Sequence, residues 1–414
     1  MRKLSLTQLF PLFLMIAACS QPIKEIKNPQ KGKLLNRISC VLKGEKQFLL
    51  DSISAPRPSY MQIIQNQDHR LLTFLNEYNS SIYFYDYLTT RFIKKIDFGS
   101  ETNDIIKPAG YFICGDDSLF MLDKARMDLV VFNKNKIVQR IPLKDSRLKD
   151  WPNNYPQYLL STVNPISKIR GELILIGQLF WSIPQNDITK FHFAAYIDIK
   201  QGKVKYYHTY PEQIYGNGVN WEGGLFTSVF YTISPTGQLI LSFPPSHSLY
   251  LANFYSNSYK SIYGGSNNAN TIYSIDYDDT RETPNELCSK SYIGQDVYCA
   301  ILYDSFRKLY YRFMLAGVPN SSIGNSKEKK VLSIIVMDKD FKYLGESKIG
   351  PCGEWNWKNS FVTSEGLNIE YNTPKDFNEN YLTFKTFVLR RFDYEKIYLY
   401  FTRILTAGNY RLLM

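Results

Sequence analysis

The sequence predicts an all-β fold, a β-propeller of six four-stranded blades, and three observations carry that prediction. Tyr 32 and Phe 26 bring the aromatic share of the 414 residues to 15%, and these types favour a pleated, half-buried surface. A strand–turn–strand unit recurs along the chain. No extended segment spaces its apolar residues at three and four, so helices are minor.

The repeat runs as follows. His69–Asn76, Ser81–Asp86 and Phe92–Ile96 make the first copy, and Ser118–Asp123, Asp128–Asn133 and Lys136–Ile141 the second. Glu172–Ile176, Phe193–Asp198 and Lys203–Tyr207 make the third, and Gln238–Phe243 with Ser248–Asn253 the fourth. The fifth is Lys308–Phe313, Val331–Asp338 and Tyr343–Ser347; a weaker sixth has Gly366–Glu370 and Tyr381–Asp393. Taking Asp86, Asn133, Asp198, Asn253, Asp338 and Asp393 as equivalent, the spacings are 47, 65, 55, 85 and 55. They exceed the roughly 40–50 residues of common blade repeats, and the excess falls in insertions at 181–190, 256–295 and 316–330. Asp or Asn suits a strand end because its side chain accepts the N–H groups of the following turn. Repeated meanders set radially leave only short edges exposed. A ring must close, and the run Ile38–Leu50 is placed to join the last blade. A non-repeating β-sandwich with look-alike strands is the alternative.

Before the repeat comes an export signal. Arg2 and Lys3 precede the apolar run Leu9–Ala18, about half the roughly 20 residues needed to span a bilayer. Ile16-Ala17-Ala18-Cys19 resembles the bacterial lipobox, which implies cleavage before Cys19 and lipidation of Cys19; an ordinary signal peptide with a chance Cys is the alternative. The expected organisation is a signal peptide over 1–18, a lipidated tether over 19–36 and a propeller over 37–414. Ser20 follows rather than Asp, and no acidic cluster comes after it, so the expected location is the outer membrane, on its periplasmic face rather than at the cell surface. The formal charge of +11 falls to +9 once Arg2 and Lys3 are removed. The excess is dispersed; its densest cluster, Lys327-Glu328-Lys329-Lys330, contains its own acid and reads as a solvated surface. No basic stripe or recognition motif for nucleic acid appears.

Leu50-Asp51-Ser52, followed by Leu75-Asn76-Glu77-Tyr78-Asn79-Ser80-Ser81-Ile82-Tyr83-Phe84-Tyr85-Asp86, resembles a family of uncharacterised Bacteroidota lipoproteins classed as a domain of unknown function. The resemblance implies a six-bladed propeller and an envelope location, and brings no catalytic residue.

Chemistry-bearing patterns are sparse. His69, His192, His208 and His247 are far apart, whereas a metal needs three or four converging ligands; no metal and no cofactor is expected. Glycosidic chemistry needs two carboxyls roughly 5–10 Å apart, for which Glu222, Glu354, Asp116 and Asp117 are candidates. Asp276-Tyr277-Asp278-Asp279 lacks the Gly and distal Glu of a calcium loop. With Cys19 lipidated, five cysteines remain, and a Cys288–Cys299 disulfide is open. The Trp residues are more suggestive, because all five fall in loop-like insertions beside amides and acids. Trp151, Tyr155, Trp181, Tyr215, Trp221, Glu222, Glu354, Trp355 and Trp357 are therefore candidates for an aromatic loop face that binds a glycan or protein; alternatively, each Trp pins its own loop. The expected function is a membrane-anchored binding or scaffold module. A propeller hydrolase or lyase acting on envelope or dietary glycan is the alternative.

Overall fold

The computed structural model describes residues 23–54, 57–65, 70–98, 105–115, 118–145, 155–319, 329–372 and 380–392. Six four-stranded antiparallel sheets form the six blades of a β-propeller, each a simple meander from its innermost to its outermost strand. Blade 1 shows the pattern: Met61–Gln65, Arg70–Asn76, Ser81–Asp86 and Phe92–Asp97. Its two middle strands are almost wholly buried, while the outermost is mostly exposed. Innermost strands of the next five blades are Pro108–Ile113, Ser167–Ile169, Phe230–Ile233, Val297–Asp304 and Trp355–Thr363.

Closure is where the sequence placed it. Ile38–Leu49 becomes the outermost strand of blade 6 by pairing antiparallel with Tyr381–Arg391, register running from Ile38↔Arg391 to Leu49↔Tyr381. The repeat of acidic or amide strand ends also has the expected local cause. Asp86, Asn133, Asp198 and Asp338 end the third strand of their blades and Asn253 directly follows it. Asp86 accepts the Thr89 N–H at 2.6 Å, Asp198 that of Gln201 at 3.0 Å, and Asp338 those of Asp340 and Lys342 at 2.9 and 2.8 Å. Asn253 departs, its side-chain oxygen accepting the Gln238 amide at 3.1 Å instead; Asp393 lies outside the described residues.

The Tyr-rich composition has two uses. Rings fill the space between blades, as where Tyr85 of blade 1 meets Phe48 of blade 6 edge-on with centroids 5.8 Å apart. Their hydroxyls then donate to backbone carbonyls of other segments: Tyr85 to Leu49 (2.7 Å), Tyr210 to Thr227 (2.6 Å) and Tyr231 to Pro165 (2.6 Å). A buried hydroxyl left unpaired would cost more than its burial brings, so Tyr acts as core filler and staple together.

Two sequence expectations change. The insertion 256–295 contains the outermost strand of blade 4, Tyr259–Tyr263, and a helix. Helices are minor as expected, the α-helices among the described residues being α1 (Glu212–Tyr215) and α2 (Asn285–Gly294). The expected tether over 19–36 is, in its described part, a docked strap: Glu25–Ile26 pairs with Ile272–Tyr273 and Asn28 donates to the Ser266 and Ala269 carbonyls at 2.8 and 2.9 Å. Among the described residues no helix is long and apolar enough to cross a membrane.

Candidate functional site

In an antiparallel four-stranded meander, the turn between second and third strands lies at the same end as the connection to the next blade. At that end the six blades surround a central cavity of about 940 Å³. Each blade contributes: Arg57 and Pro58 lead into blade 1, Lys107 and Pro108 into blade 2, Leu160 and Asn164 into blade 3. Blade 4 adds the Glu222–Phe230 approach, α2 adds Asn285 and Tyr292 before blade 5, and blade 6 adds Asn356 to Asn359.

One wall is built where the Gln178–Ser182 turn of blade 3 meets the Glu222–Ser228 approach to blade 4. Gln178 donates to the Gly224 carbonyl at 3.0 Å, and Thr227 donates to the Leu179 carbonyl. Gly223 permits the contact, since a Cβ there would lie 2.3 Å from the Trp181 carbonyl oxygen. Beside it Glu222 has φ 55, a left-handed conformation held by its own N–H donating to Asn220 Oδ1 at 2.9 Å. A non-Gly residue at such a φ is uncommon. Glu222 Oε2 is buried without a hydrogen-bond partner, and burial pushes the carboxyl up to about 7, opposed by the Leu225 N–H. Trp181 stands edge-on to Tyr155 and Phe191, with centroids 6.4 and 6.5 Å away, and its buried indole N–H has no acceptor.

The opposite wall belongs to blade 6. Trp357 packs edge-on against Phe230 at 5.6 Å, and the Lys358 ammonium lies 5.8 Å from the Trp357 ring. Asn359 donates to both the Pro58 carbonyl and Glu370 Oε2 at 2.6 Å, while Asn356 donates to the same carboxylate oxygen at 2.7 Å. Glu370, behind this amide pair, is driven up to about 7 by burial, the two amides and Arg57 opposing. Among the described lining residues the bases Arg57, Lys107, Lys124 and Lys358 outnumber the acids Glu77 and Glu222, and Glu77 is bonded by the Ser59 hydroxyl.

The aromatic candidates divide. Trp181, Trp357 and Glu222 line the cavity, with Tyr155 packed behind Trp181. Trp221 and Tyr215 are fully buried core: the Trp221 indole donates to the Ile214 carbonyl at 2.9 Å, and Tyr215 donates to that of Phe226 at 2.7 Å. Trp355 packs against Tyr371 and Phe387, and neither it nor Glu354 lines the cavity. For Trp221 the loop-pinning alternative describes the packing, whereas Trp355 and Trp357, expected in loops, lie in the innermost strand of blade 6. Trp151, Cys19, His69, Asp116 and Asp117 lie outside the described residues. His208 is buried against the Tyr196 hydroxyl at 2.6 Å, and His247 bridges the Tyr298 hydroxyl and the Ile26 carbonyl. Among the described residues no three His, Cys, Asp or Glu converge to hold a metal. Cys288 and Cys299 are both free thiols, so the disulfide left open by the sequence is not formed. Arg57, Lys107, Lys358 and Asn359 were not anticipated, because each sits in or beside an inner segment that carries no repeat signal, nor was Gln178, which lies in the turn after the second strand of blade 3.

A family model for a domain of unknown function, DUF4221, matches residues 37–348. Among solved structures, the chain is similar to a DUF4221 member from Bacteroides vulgatus ATCC 8482, with TM-score 0.69 and 20% identity over 86% of this chain and 99% of that one. It is also similar to a protein of Bacteroides fragilis NCTC 9343 named as a candidate exported protein, with TM-score 0.51 and 10% identity over 88% and 98%. At these identities the likeness shows the fold. No curated protein matches the chain.

Proposed function

The chain belongs to the DUF4221 family, and from that premise we propose that it is an exported, lipid-anchored binding module whose central cavity takes a glycan. The observation that supports this most is the cavity itself. At about 940 Å³ it sits at the upper end of ligand pockets, which run roughly 300–1,000 Å³, so it has room for several sugar rings. Trp181 and Trp357 offer aromatic surface on opposite walls, and Asn164, Gln178 and Asn356 offer amides for hydroxyls. Its basic excess favours a glycan with acidic groups. The lipobox at Cys19 supports the anchor, and the export implied by the name of the Bacteroides fragilis neighbour agrees. We place it at the outer membrane, on the periplasmic face.

The test is an array of neutral and acidic glycans probed with the whole protein, Trp181→Phe and Glu222→Gln. Both variants keep most of the local packing. At least a tenfold loss of the wild-type hits is expected; hits that survive both changes, or no hit at all, overturn the reading, and binding of peptides instead would assign the cavity to a protein segment.

One observation favours the enzymatic reading. A carboxyl held near 7 inside a pocket suits a general acid, and Glu222 is one. If the cavity cleaves its glycan, Glu222→Gln binds the array hits and leaves them uncut, whereas the wild type shortens them.

A further inference from the structure

The N-terminal strap fixes where an anchor would leave the propeller. Residues 23–36 do not start from an arbitrary edge. Glu25–Ile26 pairs with Ile272–Tyr273, within the insertion that connects blade 4 to blade 5. The Lys24 N–H donates to the Ser274 hydroxyl at 2.8 Å and the Lys24 carbonyl accepts the Ser274 N–H at 2.9 Å. Ile26 also accepts from His247, in the second-to-third-strand turn of blade 4. Both partners belong to the end of the propeller that carries the cavity. Farther on, the Gly32 N–H donates to the Asn267 carbonyl at 2.9 Å, and the Arg37 N–H to the Leu344 carbonyl at 2.7 Å. Leu344 begins the outermost strand of blade 5, at the other end of the ring. The strap therefore runs down the outside of blades 4 and 5, and the chain enters at the cavity end.

Three residues, Ser20, Gln21 and Pro22, separate Cys19 from Ile23, a reach of at most about 14 Å even when fully extended. A lipid on Cys19 would hold this end of the propeller within that distance of a bilayer. The strap's chemistry suits such a surface. Lys27, Lys31 and Lys33 are exposed, against the single acid Glu25, which pairs with Lys27 at 3.6 Å. Lys27 and Lys31 line a shallow depression with Asn28, Asn270, Thr271 and Tyr273, an array of ammonium, amide and hydroxyl donors. The acids Asp276, Asp278 and Asp279 follow the paired strand, with Asp279 held by Arg281 at 2.7 Å, and bound the basic strip on that side.

We infer that the cavity-end part of the docked strap, Ile23–Lys33, is a mounting surface that stands the propeller with its cavity end toward the phosphate-bearing surface of the membrane. This rests on the lipid-anchor reading above. It gives the anchor a direction: the cavity is presented to molecules at or near the bilayer, with the opposite end of the ring turned away. A short lipid arm and a basic strip together anchor more firmly than either alone.

The test uses the lipidated protein purified in detergent and reconstituted in vesicles of phosphatidylglycerol and phosphatidylcholine or of phosphatidylcholine alone, with lysine acylation read by mass spectrometry. In the anionic vesicles, labelling of Lys27, Lys31 and Lys33 should fall at least fivefold relative to detergent. Lys136, Lys203 and Lys339, exposed at the opposite end, should label as before. Unchanged labelling of the strap, protection of the opposite end, or equal protection by inorganic phosphate without vesicles would each overturn the inference. The N-terminal peptide's mass separates the two readings: an unlipidated Cys19 defeats the anchor, whereas a lipidated Cys19 with an unprotected strap defeats only the mounting.

Discussion

The junction of blades 4 and 5 and the cavity wall between blades 3 and 4 both bury polar groups, but they treat them in opposite ways. At the junction Arg312 is fully buried with no carboxylate partner. Its Nε donates to the Ser242 hydroxyl at 3.0 Å, and its terminal nitrogens donate to the carbonyls of His247, Gly264 and Ser246 at 3.1, 3.1 and 2.8 Å. The Tyr298 ring lies 4.0 Å beneath it. Nearby, Lys330, read from sequence as part of a solvated cluster, is instead buried. Its ammonium donates to the carbonyls of Tyr292, Ile293 and Gln295 at 2.8, 3.2 and 2.6 Å, closing the end of α2 where helical carbonyls lack partners. At the cavity wall, Trp181 Nε1 and Glu222 Oε2 are left unmatched. Buried polar groups in native folds are normally paired. A satisfied cluster therefore marks a structural joint, whereas the unmatched pair beside the cavity is where the glycan proposed above would find groups to bond.

That contrast can be broken experimentally, starting with the joint that closes the ring. Deleting residues 36–52 removes the outermost strand of blade 6, and cooperative unfolding should vanish in calorimetry; an intact transition would show that the ring does not need this strand. Arg312→Met leaves blade 4 carbonyls unpaired in a dry site and should cost about 3–5 kcal/mol in urea unfolding. Lys330→Met, which uncaps α2 only, should cost about 1–3 kcal/mol. Trp181→Phe belongs to the other class and should cost less than about 1.5 kcal/mol while abolishing array binding.

The smallest effect is one of pH. Glu222 and Glu370 have folded-state values of about 7, raised by burial from 4.5. A raised carboxyl binds its proton more tightly in the folded than in the unfolded state, so its contribution falls as pH rises from about 4.5 to about 7. Glu222→Gln should match the wild type in urea at pH 4 and exceed it at pH 8. A constant difference at both pH values would show that the carboxyl is not desolvated in solution.

The second and third strands of every blade were legible because they are buried on both faces and end in turn-capping residues, as Ser81–Asp86 and Val331–Asp338 do. The innermost strands were not. Ser167–Ile169 and Phe230–Ile233 hold only three and four residues, too short for alternation to register. The cavity was lost with them, since Arg57, Lys107 and Asn359 reach it from those inner segments. Trp was a poor guide to both backbone and surface, since Trp355 and Trp357 lie in the innermost strand of blade 6. Trp181 and Trp221 both sit in loops, yet one faces the cavity and the other is sealed under Phe226, 5.5 Å away.

Composition, the spacing of strand ends and the early β-run at Ile38 pointed to a six-bladed ring ahead of a β-sandwich, because strand periodicity and turn chemistry are local properties of a chain. The cavity, the satisfied Arg312, the buried Lys330 and the docked strap were decided only by tertiary structure. Each unites groups dozens to hundreds of residues apart, and whether a side chain is paired, sealed or left open depends on what the other blades bring against it.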